Sequence, residues 1–192
     1  MYFSFVSSIA HIVVANKAGM LSNKQEIVYA YMMVIISLLV LVLLLGFAVS
    51  SISGAPWVPA RSFDIEAILD DANLHSGDLY TELGCGDGRL VRAAAHRGAV
   101  AVGYELNPLL WAIAWVLSVG QKNAHIRYGN FWSQDISKAD VVMAFLVPRT
   151  MPRLGIKAQQ EMKKGARLIS YIFPIENKKH QRKHKSWYIY TY

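Results

Sequence analysis

The stretch Glu82-Leu83-Gly84-Cys85-Gly86-Asp87-Gly88 sits between an apolar run, Leu79 to Leu83, and the helical run Arg89-Leu90-Val91-Arg92-Ala93-Ala94-Ala95, which Gly98 stops. An acid followed by three glycines at two-residue spacing closes a strand and opens a helix. Glycine tolerates positive φ and lets the backbone approach a ligand closely, and the free N–H groups of the new helix favour a carboxylate or phosphate. Glu105 stands at the end of a second apolar strand, Val100 to Tyr104. An acid there can accept hydrogen bonds from both ribose hydroxyls of a nucleoside. The plainer reading, a glycine-rich turn that only joins strand to helix, accounts for the glycines but not for Glu82 and Glu105.

Spacing then narrows the nucleoside. A dinucleotide fingerprint needs glycine at its first, third and sixth positions, and counting from Gly84 the sixth residue is Arg89, which would obstruct packing against a pyrophosphate. The order acid, Gly, x, Gly, x, Gly, then an acid ending the next strand, resembles the class I S-adenosylmethionine-dependent methyltransferases. That resemblance implies a Rossmann-like, doubly wound α/β sheet with S-adenosylmethionine as cofactor. Glu82 would lie near the methionine amino group, and Gly84, Cys85, Gly86 and Gly88 would line the methionine and ribose. Glu105, with Leu106 beside it, would hold the ribose.

Upstream, Ile27 to Ala60 runs for 34 residues without Asp, Glu, Lys, Arg or His. Its core, residues 27–49, would be about 35 Å long as a helix, against a hydrocarbon layer of about 30 Å. We read it as a transmembrane helix. A signal peptide is the rival, but its apolar region exceeds the usual length for one. Lys17 and Lys24 precede the span and Arg61 follows it, which by the positive-inside count puts the C-terminal domain outside the cell. Cofactor chemistry and the single Cys85 argue instead for a domain on the cytosolic face. We side with the chemistry. A prokaryotic membrane is favoured over the mitochondrial inner membrane, because the lead lacks the arginines of a transit peptide.

The formal charge of +7 is uneven, with Lys178, Lys179, Arg182, Lys183 and Lys185 clustered together. A solvated loop, or contact with anionic lipid headgroups, explains such a run better than nucleic acid does. No metal is expected. Beyond Glu105 the pattern alternates as a parallel sheet requires. Asn107 and Pro108 open a helix to Leu117 that is apolar nearly all round, so that one face would meet the sheet and the other the bilayer or the membrane helix. A third strand, His125 to Tyr128, leads to Gly129-Asn130-Phe131-Trp132. In the methyltransferase pattern Asn130 replaces an acid that bonds the adenine amino group, and Phe131 or Trp132 would stack on the ring. A fourth strand, Val141 to Leu146, puts Phe145, Leu146 and Pro148 beside the reacting methyl, where open α/β sheets bind ligands. A helix from Met151 to Lys164, a fifth strand from Ala166 to Phe173 and one antiparallel strand from Ser186 to Tyr192 complete an abbreviated C-terminus.

Taken together, Pro56-Trp57-Val58-Pro59, Glu82 to Arg89, Val102-Gly103-Tyr104-Glu105-Leu106-Asn107-Pro108 and Asn130-Phe131-Trp132 resemble the small membrane-anchored protein-lysine methyltransferases. That family includes enzymes modifying the c-subunit of ATP synthase and the adenine nucleotide translocase. The resemblance implies a lead at 1–26, a transmembrane helix at 27–49, a linker at 50–62 and a methyltransferase domain at 63–192. It also implies a protein partner: a substrate lysine in a membrane protein. Trp57, Trp132, Phe145 and Pro148 are candidates for an apolar substrate channel, and no residue stands out as a general base. A lipid or small-molecule acceptor, or a catalytically silent cofactor-binding scaffold, are the alternatives.

Overall fold

Short β-rich stretches alternating with helices pair in parallel because each helix returns the chain to the end of the sheet where the previous strand began. The computed structural model describes residues 23–53, 60–176 and 178–192. The lead before Asn23 and the element Pro56-Trp57-Val58-Pro59, with the channel candidate Trp57, lie outside these residues. Strands β1 (Leu79–Leu83), β2 (Val100–Glu105), β3 (Ala124–Tyr128), β4 (Val141–Ala144), β5 (Arg167–Tyr171), β6 (Arg182–Lys183) and β7 (Trp187–Thr191) form one sheet in the order β3-β2-β1-β4-β5-β7-β6. The first five are parallel, and β7 runs antiparallel to both β5 and β6. The chain order reverses between β1 and β4, which creates a switch point at their C-terminal ends.

The helices are α1 (Asn23–Ser53), α2 (Ile65–Asp71), α3 (Arg89–His96), α4 (Pro108–Ser118) and α5 (Met151–Glu161). One face of the sheet buries Ile68 and Leu69 of α2, Leu90, Val91 and Ala94 of α3, and Ala114 of α4, against Tyr80, Met143, Ile169 and Trp187. The other buries Leu154 and Ala158 of α5 against Leu83, Val142, Leu168 and Tyr190. As expected, Asn107 caps α4: its side-chain oxygen accepts from the N–H of Leu109 and Leu110, and Pro108 opens the helix.

Two elements depart from what the sequence predicts. The basic run contains β6, a second C-terminal strand where the pattern offers only one. Its charges are drawn onto the sheet: Arg182 pairs with Asp71, Lys183 lies over the ring of Tyr188 and Lys178 over that of Tyr192. Charged side chains on such a short edge strand discourage pairing with another chain. The apolar helix α1 is also longer than residues 27–49, taking in Asn23 to Glu26 and Ser50 to Ser53. Within it Lys24–Gly46 is long and apolar enough to cross a membrane, by length and composition alone. The chain divides into two compact units between Leu44 and Leu45, and the sheet lies in the second.

Candidate functional site

Every sharp bend of the glycine stretch needs the left-handed region: φ is 81° at Gly84, 55° at Gly86 and 73° at Gly88. The turn is fixed to the end of β2. The N–H groups of Gly84 and Cys85 both donate to the carbonyl of Tyr104 at 2.9 Å, and Gly86 donates to Glu105 Oε2 at 2.9 Å. Gly103 makes this closeness feasible, since a Cβ there would fall 2.6 Å from Val91 Cγ2 and 2.8 Å from Cys85 Sγ. Gly88 opens α3, whose first residue, Arg89, forms a bidentate pair with Asp87 and reaches the carbonyl of Ala60 at 3.0 Å.

Glu82 and Glu105 flank this turn and both are buried, at 6 and 7 % exposure. Burial pushes the Glu82 carboxyl well above the usual carboxylate range, with the negative charges of Asp87 and Glu105 adding to it. Its Oε2 is a buried acceptor with no partner. Such an atom is costly unless a ligand supplies a donor, and an ammonium group fits. Burial also raises Glu105, opposed by hydrogen bonds from the backbone of Asn107, Gly86 and Leu106. Oε1 accepts from Leu106 at 3.0 Å and Asn107 at 2.8 Å, so three amides hold this carboxylate where the sequence predicts two ribose hydroxyls. A carboxylate has about four acceptor positions, which leaves Oε2 one more. The Asn107 Nδ2, buried beside Glu105, is likewise without a partner.

Asn130 is exposed, and its Oδ1 accepts from the N–H of Trp132 at 3.0 Å, capping a 3-10 turn over Phe131–Ser133. Phe131 is buried against Trp132, with ring centroids 4.7 Å apart, and Arg153 covers the Trp132 ring at 4.2 Å. Nothing in the sequence hints at what fastens this turn. Lys157 of α5, buried to 7 % exposure, donates to the carbonyl of Gln134 at 2.6 Å and pairs with Glu161. Of the residues expected beside the methyl, only Phe145 lies at the switch point on the side of Glu82. Leu146 is buried in the core of the opposite face, and Pro148 is exposed at the start of another 3-10 turn. Phe145 packs edge-on to Tyr171 at 4.8 Å, and Tyr171 donates to the buried carboxylate of Asp64. Asp64 and Tyr171 carry no motif, and nothing in the sequence marks them. Among the described residues no group of His, Cys, Asp and Glu is disposed to hold a metal ion.

These features have counterparts in known proteins. Residues 82–182 match the family model of the ANTKMT methyltransferase domain. The ATP synthase c-subunit lysine N-methyltransferase of Xenopus laevis is 38% identical over 128 residues, covering 64% of this chain and 55% of that protein. A protein-lysine N-methyltransferase of Saccharolobus islandicus is 36% identical over 131 residues, covering 66% of this chain and 81% of that protein. Thus the chain spans about half the length of the animal relatives it matches. Among solved structures, an RNA methyltransferase from Salinibacter ruber in complex with S-adenosyl-L-homocysteine superposes with a TM-score of 0.66 at 28% identity, covering 70% of this chain and 93% of that one. The fold is therefore that of the class I methyltransferases, and with more than half of its 192 residues matched the chain belongs to the ANTKMT methyltransferase family.

Proposed function

We propose that this protein transfers a methyl group from S-adenosylmethionine to a lysine amine of a membrane protein. The observation that carries the reading is the buried, partnerless Oε2 of Glu82 beside a turn of left-handed glycines. The relatives named for lysine methylation support the acceptor class. Among the cations of residues 178–185, Lys178, Arg182 and Lys183 are engaged on aromatic rings or Asp71, which favours a protein acceptor over RNA.

S-adenosylmethionine supplies an electrophilic methyl carbon on a sulfonium. Glu82 Oε2 receives the ammonium of its amino acid end. Gly84, Cys85 and Gly86 let the backbone lie against the ribose, and the remaining acceptor position of Glu105 takes a ribose hydroxyl. Leu106, Phe131 and Asn130 border the adenine, with Asn130 Oδ1 still able to accept one more hydrogen bond. Phe145 and Trp132 give an apolar approach for the acceptor, with Pro148 at its rim. Lysine must react as the neutral amine, and an apolar approach disfavours its ammonium form. The nitrogen lone pair forms the new N–C bond as the S–C bond breaks, leaving a methylammonium and a neutral thioether. Alignment and exclusion of water supply most of the acceleration.

Membrane attachment through α1 is part of the proposal. Leu38, Leu39, Leu41, Val42 and Leu44 are all about half exposed or more, and so are Trp115, Val116 and Leu117 of α4. Residues 1–26, 27–49, 50–62 and 63–192 then serve as lead, single-pass anchor, linker and catalytic domain, the last on the cytosolic face where the donor is made. The test uses membranes from a strain lacking the protein, the purified full-length chain and labelled donor, with the modified band identified by mass spectrometry. Methyllysine in a membrane protein is the expected result. Label confined to the lipid extract, or donor binding without any transfer, would sink the reading.

A further inference from the structure

The segment from Ala60 to Asp64 is fastened at both ends across the C-terminal edge of the sheet. At one end Arg89, just past the glycine turn, holds the carbonyl of Ala60. At the other, Tyr171, the last residue of β5, donates its hydroxyl hydrogen to Asp64. Register sets Leu83 beside Ala144 and Ala144 beside Ser170. The next residues, Gly84, Phe145 and Tyr171, therefore lie side by side at the C-terminal ends of β1, β4 and β5, and the segment crosses the switch point between β1 and β4 on its way to β5.

Asp64 is 6 % exposed, and its side-chain partner is a neutral hydroxyl. Among the described residues no lysine, arginine or histidine is within ion-pair distance of it. A carboxylate so placed is costly unless a cation compensates it, and Tyr171 leaves most of its acceptor positions open. Burial and the carboxylate of Asp64 push the Tyr171 hydroxyl up to about 12, so it remains a donor. A second observation points to the same spot. Ile172, which follows Tyr171, has φ 71°. A β-branched residue in the left-handed region is a genuine outlier, of the kind that clusters at working sites.

We propose that Asp64, oriented by Tyr171, receives the acceptor as its ammonium beside Phe145; the ammonium gives up one proton to bulk water before its neutral nitrogen meets the methyl carbon. The proposal rests on the methyl-transfer reading and sharpens it: the acceptor is a cationic alkylamine, for which a neutral ring or a nucleobase would be no substitute. Asp64 is thus a substrate-binding residue and Tyr171 a positioning one.

The experiment uses the full-length chain in detergent micelles, labelled donor and solubilised membrane proteins from the deletion strain. Methyllysine formation is followed against acceptor concentration, and donor affinity is measured by calorimetry. Asp64→Asn should raise the half-saturating acceptor concentration by about tenfold, the loss of one charge-assisted contact, with donor affinity unchanged. Asp64→Glu should recover part of the loss, and Tyr171→Phe should shift in the same direction by less. If Asp64→Asn equals the wild type in half-saturation, or loses donor binding and acceptor binding together, the role of Asp64 is overturned while methyl transfer stands. If the wild type binds no donor, or labels only groups other than lysine, both readings fall.

Discussion

On the donor side of the site, the turn, Glu82 and Glu105 all come from one β1–α3–β2 unit and are held by main-chain hydrogen bonds to Tyr104 and Glu105. On the proposed acceptor side, Asp64, Phe145 and Tyr171 come from three separate segments, joined by a side-chain hydrogen bond and a ring contact at the ends of β4 and β5. On the proposed reading, the difference teaches that the donor is met by two carboxylates that backbone geometry fixes, in a turn that tolerates few substitutions. The proposed acceptor contacts come instead from side chains that the fold merely brings together.

The contrast can be broken at its most rigid point first. Gly103→Val should destabilise the fold by about 3 kcal/mol or more in chemical denaturation, because its side chain would strike Val91 and Cys85. A well-folded variant would mean that the turn adapts, against the contrast. Next, Glu105→Ala removes the acceptor of three backbone N–H groups, and donor affinity by calorimetry should fall by about a hundredfold or more.

Glu82→Gln should weaken donor binding by about tenfold, by loss of a charge-assisted contact. It also tests the protonation of the site. Burial raises the folded pKa of Glu82, so the folded chain keeps a proton there that the unfolded chain releases. That favours the fold below the ordinary carboxyl pKa, and the advantage is lost as pH rises towards the raised value. An ammonium docked on Glu82 favours the ionised form. Donor binding should therefore release about one proton within this window and tighten as pH rises, as calorimetry in buffers of different ionisation enthalpy would read. Glu82→Gln should abolish the release, and a release that persists would move the ammonium elsewhere. The smallest effect is expected on neither side of the site. Trp115→Gln, at an exposed position of α4, should lower partition into lipid vesicles by about threefold through lost apolar area and leave donor affinity alone. Absence of Trp115 quenching by brominated lipid would detach α4 from the membrane.

The same contrast decides what could be read from the sequence. The glycine turn, the acids flanking it, the cap at Asn107 and the apolar core of α1 are written in neighbouring residues, and local rules reach them. By contrast β6 exists because β7 offers it an edge, and Arg182 and Lys183 have no strand propensity to announce it. Lys157 looks like any surface lysine until α5 docks and buries it against Gln134 and Glu161. Asp64 and Tyr171 are 107 residues apart and share no motif. Asn130 is marked by its position in a known pattern, yet its work in capping the 3-10 turn follows from local geometry that the pattern does not describe.

Cys85, wedged against Gly103 in the middle of the turn, has one more consequence. It is the chain's single cysteine, it is buried, and burial with the nearby charges of Glu82 and Glu105 raises its thiol well above the ordinary value. The native protein should ignore maleimides and mild peroxide, since the thiolate is the reactive species. Alkylation at this sulfur would then clock the spontaneous opening of the cofactor pocket, with no engineered label required.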